Sequence, residues 1–207
     1  MKYRKKTLKM EVKLFNRWSA EGVAVNDVGL VKYISIDPKI MPKTGARYAG
    51  ARFHKSNTFI VERMVSKLMT VGHKGKKHFM SSGHITGKKT TALRIIEAAF
   101  LKIENKLKKN PIAVLVKAVE NAAPREEVIS IEYGGARYPK AVEVAPQRRV
   151  DLALRYMAQG AYVRSFNKKA KVEDTLAEEI IQASLCSAKS NAVSKKRDTE
   201  RQAASSK

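Results

Sequence analysis

The spacing of apolar residues after position 57 limits the fold of this chain more than any other feature of its sequence. From residue 58 onward they recur every three to four positions, which places them on one face of an α-helix. The third helix is also marked by Asn110-Pro111, a capping residue followed by proline at the first helical position. Helices are predicted to begin at about residue 58, at about residue 90, after Asn110, at Pro146, at Asp174 or Thr175, and at about Asn191.

The apolar period changes between the third and fourth of these helices. Ile129 and Ile131 alternate with polar residues, and Gly134-Gly135 then supplies a turn. Alternation around a two-glycine turn is typical of a β-hairpin, here at about 127–145. The expected fold class is mainly α: a helical bundle of about six helices with a protruding β-hairpin arm and an irregular N-terminal extension.

Residues 1–57 lack this regularity. Short apolar clusters occur there without a sustained period, and six glycines and prolines interrupt them. Such a segment buries little surface by itself, so we expect it to become ordered against a partner or along the main body. The predicted organisation is a basic N-terminal extension, residues 1–57, followed by a single helical domain, residues 58–207.

Charge is the second strong constraint. Forty-two Lys and Arg oppose nineteen Asp and Glu, which gives a net charge of +23. A folded protein with this excess repels itself unless a polyanion neutralises it, so nucleic acid is the leading partner class and an anionic membrane surface the second. The sequence has no run of about eighteen apolar residues, and its single cysteine, Cys186, excludes an internal disulfide. These features favour a reducing, cytoplasmic setting and argue against a membrane partner.

Cations occur at the predicted start of the second helix. Lys88 and Lys89 follow Gly87 there, where the helix dipole is already positive. A bound phosphate would be stabilised by both ammonium groups and by the free backbone N–H groups. The alternative is two solvated lysines. A nucleotide-binding loop is disfavoured, because the glycine spacing and the residue after Lys88 do not match the phosphate-binding motif.

The fourth helix repeats this arrangement. Arg148 and Arg149 lie in its first turn, directly after the hairpin, and the planar guanidinium group can donate two hydrogen bonds to one phosphate. Two such helix starts in one strongly basic chain support each other as phosphate contacts. The alternative is that the arginines form salt bridges with Glu143 or Asp151.

The hairpin and the last helix carry further basic and aromatic residues. Arg137, Tyr138 and Lys140 follow the turn, and a twisted ribbon of this kind suits a groove or a single RNA strand. Tyr138 is a candidate for base stacking, although the hairpin tyrosines could equally anchor the ribbon to the bundle. Trp18 is a second stacking candidate, with packing in the core as the alternative. The last helix adds a basic face formed by Lys195, Lys196, Arg197 and Arg201.

The sequence offers no catalytic or metal-binding constellation. His54, His73, His78 and His84 do not follow the spacing of metal ligands, and no Ser/His/Asp set or carboxylate pair suggests catalysis. We therefore expect no cofactor, no metal, no small-molecule substrate and no enzymatic activity.

Several of these motifs together resemble ribosomal protein seven of the small subunit. The resemblance runs from about residue 58 to the end of the sequence, and its most specific segments are 134–149, 110–126, 87–89 and 194–197. In the extension, segments 17–19, 25–27 and 45–49 resemble the archaeal and eukaryotic branch of this family rather than the bacterial one. The loop 72–87 is longer than in bacterial members, and no functional residue is transferred to its inserted part.

The resemblance implies a six-helix bundle with a β-hairpin arm, located in the head of the small ribosomal subunit. Members of this family bind the three-prime major domain of the small-subunit ribosomal RNA and help to nucleate assembly of the head. Their hairpin reaches towards the exit-site transfer RNA and the path of the outgoing messenger RNA, near small-subunit protein eleven and other head proteins. The resemblance and the patterns above together predict contact with ribosomal RNA for Lys88, Lys89, Gly134, Gly135, Arg137, Lys140, Arg148, Arg149, Lys195, Lys196, Arg197, Arg201, Arg17, Arg47 and Arg52.

A DNA-binding regulator with a helical core is the alternative function. It would share the charge, but it should also have a dimerisation element and one dominant recognition helix. The basic residues here are instead spread over loops, hairpin and termini. The sequence therefore favours a structural RNA-binding protein.

Overall fold

The computed structural model describes residues 12–71 and 84–207, where the chain forms six α-helices and one antiparallel β-hairpin. The helices are α1 (Ile60–Met69), α2 (Lys89–Leu107), α3 (Pro111–Ala122), α4 (Pro146–Ser165), α5 (Val172–Ser184) and α6 (Asn191–Ala204), and the strands are β1 (Glu126–Tyr133) and β2 (Ala136–Glu143). The prediction of a mainly α fold with a hairpin arm is confirmed. None of the helices in these ranges is long and apolar enough to cross a membrane.

Side-chain caps explain where two of the helices begin. The Asn110 side chain accepts a hydrogen bond from the backbone N–H of Ile112 at 3.0 Å, as the sequence predicts for the start of α3. The Ser190 hydroxyl accepts one from the backbone N–H of Val193 at 3.3 Å and starts α6. Each cap satisfies a backbone donor that the helix itself leaves without a partner.

The fifth helix begins earlier than predicted. α5 starts at Val172 rather than at Asp174 or Thr175. Glu173 and Asp174 fill its first turn, where carboxylates interact favourably with the positive end of the helix dipole. The Thr175 hydroxyl is not a cap, because it donates to the carbonyl oxygen of Ala161 at 3.0 Å.

The hydrophobic core is centred on α5, which contacts α2, α3, α4 and α6. Its apolar face buries Leu176 and Ile180 completely, against fully buried residues such as Ile103, Leu115 and Leu154. Burial of each such side chain contributes about 1.5–3 kcal/mol to stability.

The described part of the N-terminal segment, residues 12–57, packs along this bundle. Its regular structure consists of two short 3-10 turns, yet Leu14, Trp18, Leu30 and Ile34 belong to the same core cluster as the helices. The segment therefore contributes residues to the hydrophobic core. This packing agrees with the second of the two expectations, that the segment orders along the main body.

The hairpin has the predicted two-residue turn. Gly134 and Gly135 have φ values of +59° and +81°, the left-handed pair that a type I′ turn requires, and Tyr133 is paired with Ala136 on either side. α6 packs against the base of β1, whereas the outer half of the ribbon is exposed to solvent. The hairpin is therefore an arm that is anchored to the bundle at its base.

Candidate nucleic-acid interface

Arg148 lies in the first turn of α4 with half of its side chain exposed. It donates two hydrogen bonds to Glu127 of β1, from Nε to Oε1 at 2.7 Å and from Nη2 to Oε2 at 2.9 Å. The hydrogen bond to Glu127 is the main reason that the pKa of Arg148 lies above its ordinary value. The geometry is the two-pronged arrangement by which a guanidinium group binds a phosphate.

Arg149 is differently placed, since only 11% of its side chain is exposed. It donates from Nε to the carbonyl oxygen of Pro124 at 3.1 Å and from Nη2 to Oδ2 of Asp27 at 2.9 Å. Burial would raise the pKa of Asp27, but the hydrogen bonds from Arg149 and from the Gly29 backbone, together with nearby positive charge, lower it overall. Arg149 therefore ties the N-terminal segment to α4.

Both arginines thus form ion pairs in the protein itself. Salt bridges were the alternative considered from the sequence, with Glu143 or Asp151 as partners. The observed partners are instead Glu127 and Asp27.

The two lysines at the start of α2 also have different environments. Lys88 is exposed at the N-cap position, whereas Lys89 is the first helical residue and donates from Nζ to Oε1 of Glu62. Glu62 is buried and also accepts from the backbone N–H and the hydroxyl of Thr44, at 2.9 and 3.0 Å. Burial would raise the pKa of this carboxyl, but the hydrogen bonds from Lys89 and Thr44 lower it. Lys88 is therefore the more accessible of the two.

The hairpin arm presents its predicted residues to solvent. Arg137 and Lys140 are exposed, and Arg137 is 3.6 Å from Glu132 across the ribbon. Tyr133 and Tyr138 are 80% and 58% exposed. Neither tyrosine is packed into the bundle, so anchoring to the bundle, the alternative considered for them, is not what the structure shows.

Cross-strand pairing gives the arm one apolar face. Ile129 is opposite Lys140 and Ile131 is opposite Tyr138, and alternation along β1 adds Tyr133 to the same face. These large side chains are all partly or fully exposed.

Some basic residues of α6 are free to contact a partner, and others donate hydrogen bonds within the protein. Lys195 is exposed, and Arg201 is largely exposed with Asp198 at 3.1 Å. Lys196 donates to the carbonyl oxygen of Asn121 at 2.9 Å, and Arg197 donates to that of Cys186 at 3.1 Å. These last two contacts satisfy carbonyl oxygens at the C-terminal end of α3 and just after α5.

Trp18 is a packing residue. It is 4% exposed, makes edge contacts with Phe15 and Phe100, and donates from Nε1 to Oε2 of Glu104 at 3.0 Å. A base has no access to a ring held in this way. The base-stacking role considered for Trp18 is therefore not retained.

Arg17, Arg47 and Arg52 are exposed in the N-terminal segment. The Arg52 guanidinium group is 5.7 Å from the centroid of the Phe53 ring, which is itself exposed. These three arginines are accessible to a partner, as predicted RNA contacts need to be.

A further basic cluster was not predicted from the sequence. Lys55, Arg63 and Lys67 surround a single carboxylate, that of Asp151 on α4, at 3.3, 3.3 and 3.5 Å. The sequence signal is weak: Arg63 and Lys67 are four residues apart on α1, but their partner lies far along the chain. This Asp151 cluster lines a cavity of about 430 Å³ between the N-terminal segment, α1, α2 and α4.

Among residues 12–71 and 84–207, no group of three or more His, Cys, Asp or Glu side chains could hold a metal ion. His73 and His78 lie outside the described residues, as does the longer part of the loop after Gly72.

The family model for ribosomal protein S7p/S5e matches residues 30–207 of this chain. The chain is 52% identical to small ribosomal subunit protein uS7 of Nanoarchaeum equitans over 198 residues, which cover 96% of this chain and 100% of the relative. It is 44% identical to uS7 of Methanothrix thermoacetophila, over 92% of this chain and 97% of the relative. A third relative, uS7 of Methanococcoides burtonii, is 43% identical over 91% of this chain and 96% of its own length. The chain therefore belongs to the ribosomal protein S7p/S5e family, and its archaeal relatives agree with the branch indicated by the N-terminal motifs.

Proposed function

We propose that this chain is a structural constituent of the small ribosomal subunit, where it binds the ribosomal RNA through its backbone phosphates. The observation that carries the proposal is the family match together with relatives that share about half of their residues with nearly the whole chain. The net charge of +23 favours a polyanionic partner of this kind. The proposed location is the ribosome in the cytoplasm, and no catalytic role is proposed.

The distribution of exposed cations supports binding to a large folded RNA. Lys88, Arg148, Arg137 and Lys195 lie on four different elements: the start of α2, the start of α4, the hairpin arm and α6. A sequence-reading protein concentrates its contacts on one helix, whereas separated contacts suit several RNA helices that meet at a junction. We therefore propose that the chain holds different RNA segments together.

The ion pair between Arg148 and Glu127 suggests how one of these contacts forms. A phosphate can replace the Glu127 carboxylate in the same two-pronged geometry, and the helix dipole at the start of α4 adds to the attraction. Because Arg148 is half exposed, the exchange requires only a rotation of side chains. Arg149 acts differently, since it is buried and positions the helix start on the N-terminal segment.

The finer proposal concerns the hairpin arm and the site of binding. We propose that the chain binds the three-prime major domain and helps to nucleate the head of the subunit. The arm, with its exposed Tyr133 and Tyr138, reaches towards the exit-site transfer RNA, the outgoing messenger RNA and small-subunit protein eleven. The exposed aromatic face and the solvated outer half of the ribbon support such a role.

Filter binding across a salt series tests the proposal. The full chain is titrated with a transcript of the three-prime major domain and with duplex DNA of equal length. We expect the RNA to be preferred at every salt concentration. Equal or stronger binding to DNA would instead favour the DNA-binding alternative.

Two neighbouring variants test the phosphate contact itself. Arg148→Ala should flatten the slope of log K against log salt by roughly 0.7–0.9, the value for one lost phosphate contact. Arg149→Ala should leave the slope unchanged and lower the free energy of unfolding by roughly 2 kcal/mol, because charged hydrogen bonds are lost in a partly buried place. An unchanged slope for Arg148→Ala would exclude it as a phosphate contact.

A further inference from the structure

The N-terminal segment and α1 form two walls of the cavity of about 430 Å³, which is open to solvent on one side. Thr44 and Lys55 lie on the segment side, Ser66 and Lys67 on the α1 side, and Asp151 of α4 closes one wall. The cavity is lined by several charged side chains, and it is far larger than the roughly 10–15 Å³ of probe-occupied volume that one water molecule needs. Its lining can therefore accommodate a charged group of a ligand.

Positive charge exceeds negative charge in this lining. Lys55, Arg63, Lys67 and Lys89 oppose two carboxylates, those of Glu62 and Asp151. Lys89 and Glu62 neutralise each other as a direct pair, so the excess belongs to the three cations that share Asp151.

The three cations of the Asp151 cluster are not equivalent. Arg63 is almost completely buried, and it also donates to the carbonyl oxygen of Tyr33 at 2.7 Å. This second contact fixes Arg63 as part of the scaffold. Lys55 is 49% exposed and Lys67 is 19% exposed, and each ends in an ammonium group that has further donors to offer.

Lys67 shows the effect of the excess charge. Burial lowers the pKa of this lysine, and although Asp151 opposes the change, the positive charges of Arg155 and Lys55 add to it. A second anion in the cavity would favour the charged form of this lysine and so offset both its burial and the repulsion between like charges.

From this geometry we propose that the cavity binds a phosphate group of the RNA backbone, with Lys55 and Lys67 as its ligands. The proposal rests on the proposed function, because the RNA is the source of the phosphate. Lys55 reaches the ligand from the N-terminal segment and Lys67 from α1, so the bound phosphate bridges the two. RNA binding at this point would therefore lock the segment onto the bundle.

The first test measures the reactivity of individual lysines. The full chain is acetylated with a water-soluble ester, alone and in complex with the three-prime major domain transcript, and each site is quantified by mass spectrometry. RNA should lower the acetylation rate of Lys55 and Lys67 at least fivefold. Lys106 is a matched control: it is 54% exposed and ion-paired with Glu178, but lies on the far end of α2. Protection of Lys106 alone, or no protection at all, would overturn the proposal.

An additional measurement distinguishes a phosphate of the RNA from a free phosphate ion. Inorganic phosphate is added without RNA, at a concentration that matches the nucleotide phosphate of the transcript. Weaker protection than with RNA is expected, because a single ion lacks the other contacts of the chain. Protection by the free ion without protection by RNA would overturn RNA as the source.

Affinity provides the second test, with Lys55→Gln and its control Lys106→Gln. Lys55→Gln should weaken RNA binding roughly fivefold and reduce the salt slope by roughly 0.7–0.9, while Lys106→Gln should match the wild type. If the wild type prefers RNA and both variants bind as it does, the cavity proposal fails while the proposed function stands. If the wild type shows no preference for RNA, the proposed function itself fails.

Discussion

Two buried carboxylates contact helix starts in the described part of the chain, and their surroundings differ. Glu179 of α5 is completely buried at the start of α6, where it accepts from the Ser190 hydroxyl at 2.8 Å and from the backbone N–H of Ala192 at 3.0 Å. Arg164 lies 3.3 Å from its other oxygen. Glu62 of α1 is also buried and pairs with Lys89 at the start of α2, but it lies in the wall of an open cavity that carries additional cations.

The difference shows what separates a structural carboxylate from one beside a binding site. At Glu179 a completely buried carboxylate meets two local donors and one guanidinium group, whose side chain is 34% exposed. At Glu62 the pair lines the same cavity as the Asp151 cluster, in which three cations share one carboxylate. The Glu179 carboxylate is completely buried and its charge is balanced by Arg164, whereas the cavity beside Glu62 has excess positive charge and open space.

Removal of the Glu179 carboxylate should have the largest effect on stability. Glu179→Ala leaves the Ser190 hydroxyl and the Ala192 N–H buried without an acceptor, and it also opens a cavity. We expect the free energy of unfolding to fall by about 3–5 kcal/mol. Urea denaturation measures the change, with the exposed neighbour Glu178→Ala as control at below about 0.5 kcal/mol. A loss of less than about 1 kcal/mol would show that this site is not closed.

Close packing at the same site predicts a smaller loss for Gly160→Ala. An added Cβ would lie 2.7 Å from Cβ of Asn191 and 3.1 Å from Cδ of Glu179, so α4 and α6 would have to move apart. We expect a loss of about 2 kcal/mol in a urea titration. Gly50→Ala is the control, because its added Cβ has no atom within 4 Å. Equal stability of the two variants would contradict the tight α4–α6 contact.

Local sequence signals predicted the helices and the positions of several cations. Asn110-Pro111 located the start of α3, and the two-glycine turn located the hairpin, because caps and turns depend on neighbouring residues. Lys88 and Lys89 do lie at a helix start. Packing decides whether a cation at a helix start is exposed or paired with a carboxylate, and local sequence patterns do not encode packing.

The ion-pair partners of the arginines in α4 could not be predicted, because they depend on how distant parts of the chain pack together. The sequence suggested Glu143 or Asp151 for the arginines of α4, since both are close along the chain. Arg149 instead pairs with Asp27, 122 residues away, once the N-terminal segment has folded over the bundle. The Asp151 cluster was missed in the same way, because Arg63 and its partner are 88 residues apart. The indole of Trp18 is buried by contacts of the same long range.

The charge on Glu62 predicts a change of stability with pH. Because the pKa of Glu62 in the folded state lies below its ordinary value of 4.5, the ionised form stabilises the fold. This stabilisation is fully present above the ordinary pKa and is lost as the pH falls through the lower folded value. Glu62→Gln should therefore cost about 1–2 kcal/mol at pH 7, and the difference from the wild type should shrink below about pH 4.5. Urea midpoints measured from pH 7 to pH 3 test this, and a difference that is constant with pH would exclude the charge as its cause.

The smallest expected effect is a gain of RNA affinity on removal of the Asp151 carboxylate, which distinguishes the open cavity from the buried Glu179 site. Asp151 is the internal anion that competes for Lys55 and Lys67, so Asp151→Asn removes a negative charge from the cavity. An interaction between unit charges 4 Å apart is on the order of 1 kcal/mol even in water, so RNA affinity should rise about fivefold, with a steeper dependence on salt. Glu179→Gln removes one negative charge from a completely buried position and should leave the salt dependence unchanged. The comparison is made by filter binding of both variants to the three-prime major domain transcript, at a temperature at which both are folded. A loss of affinity in Asp151→Asn would mean that Asp151 only holds the fold, because a carboxylate that competes with phosphate must weaken RNA binding while it is present.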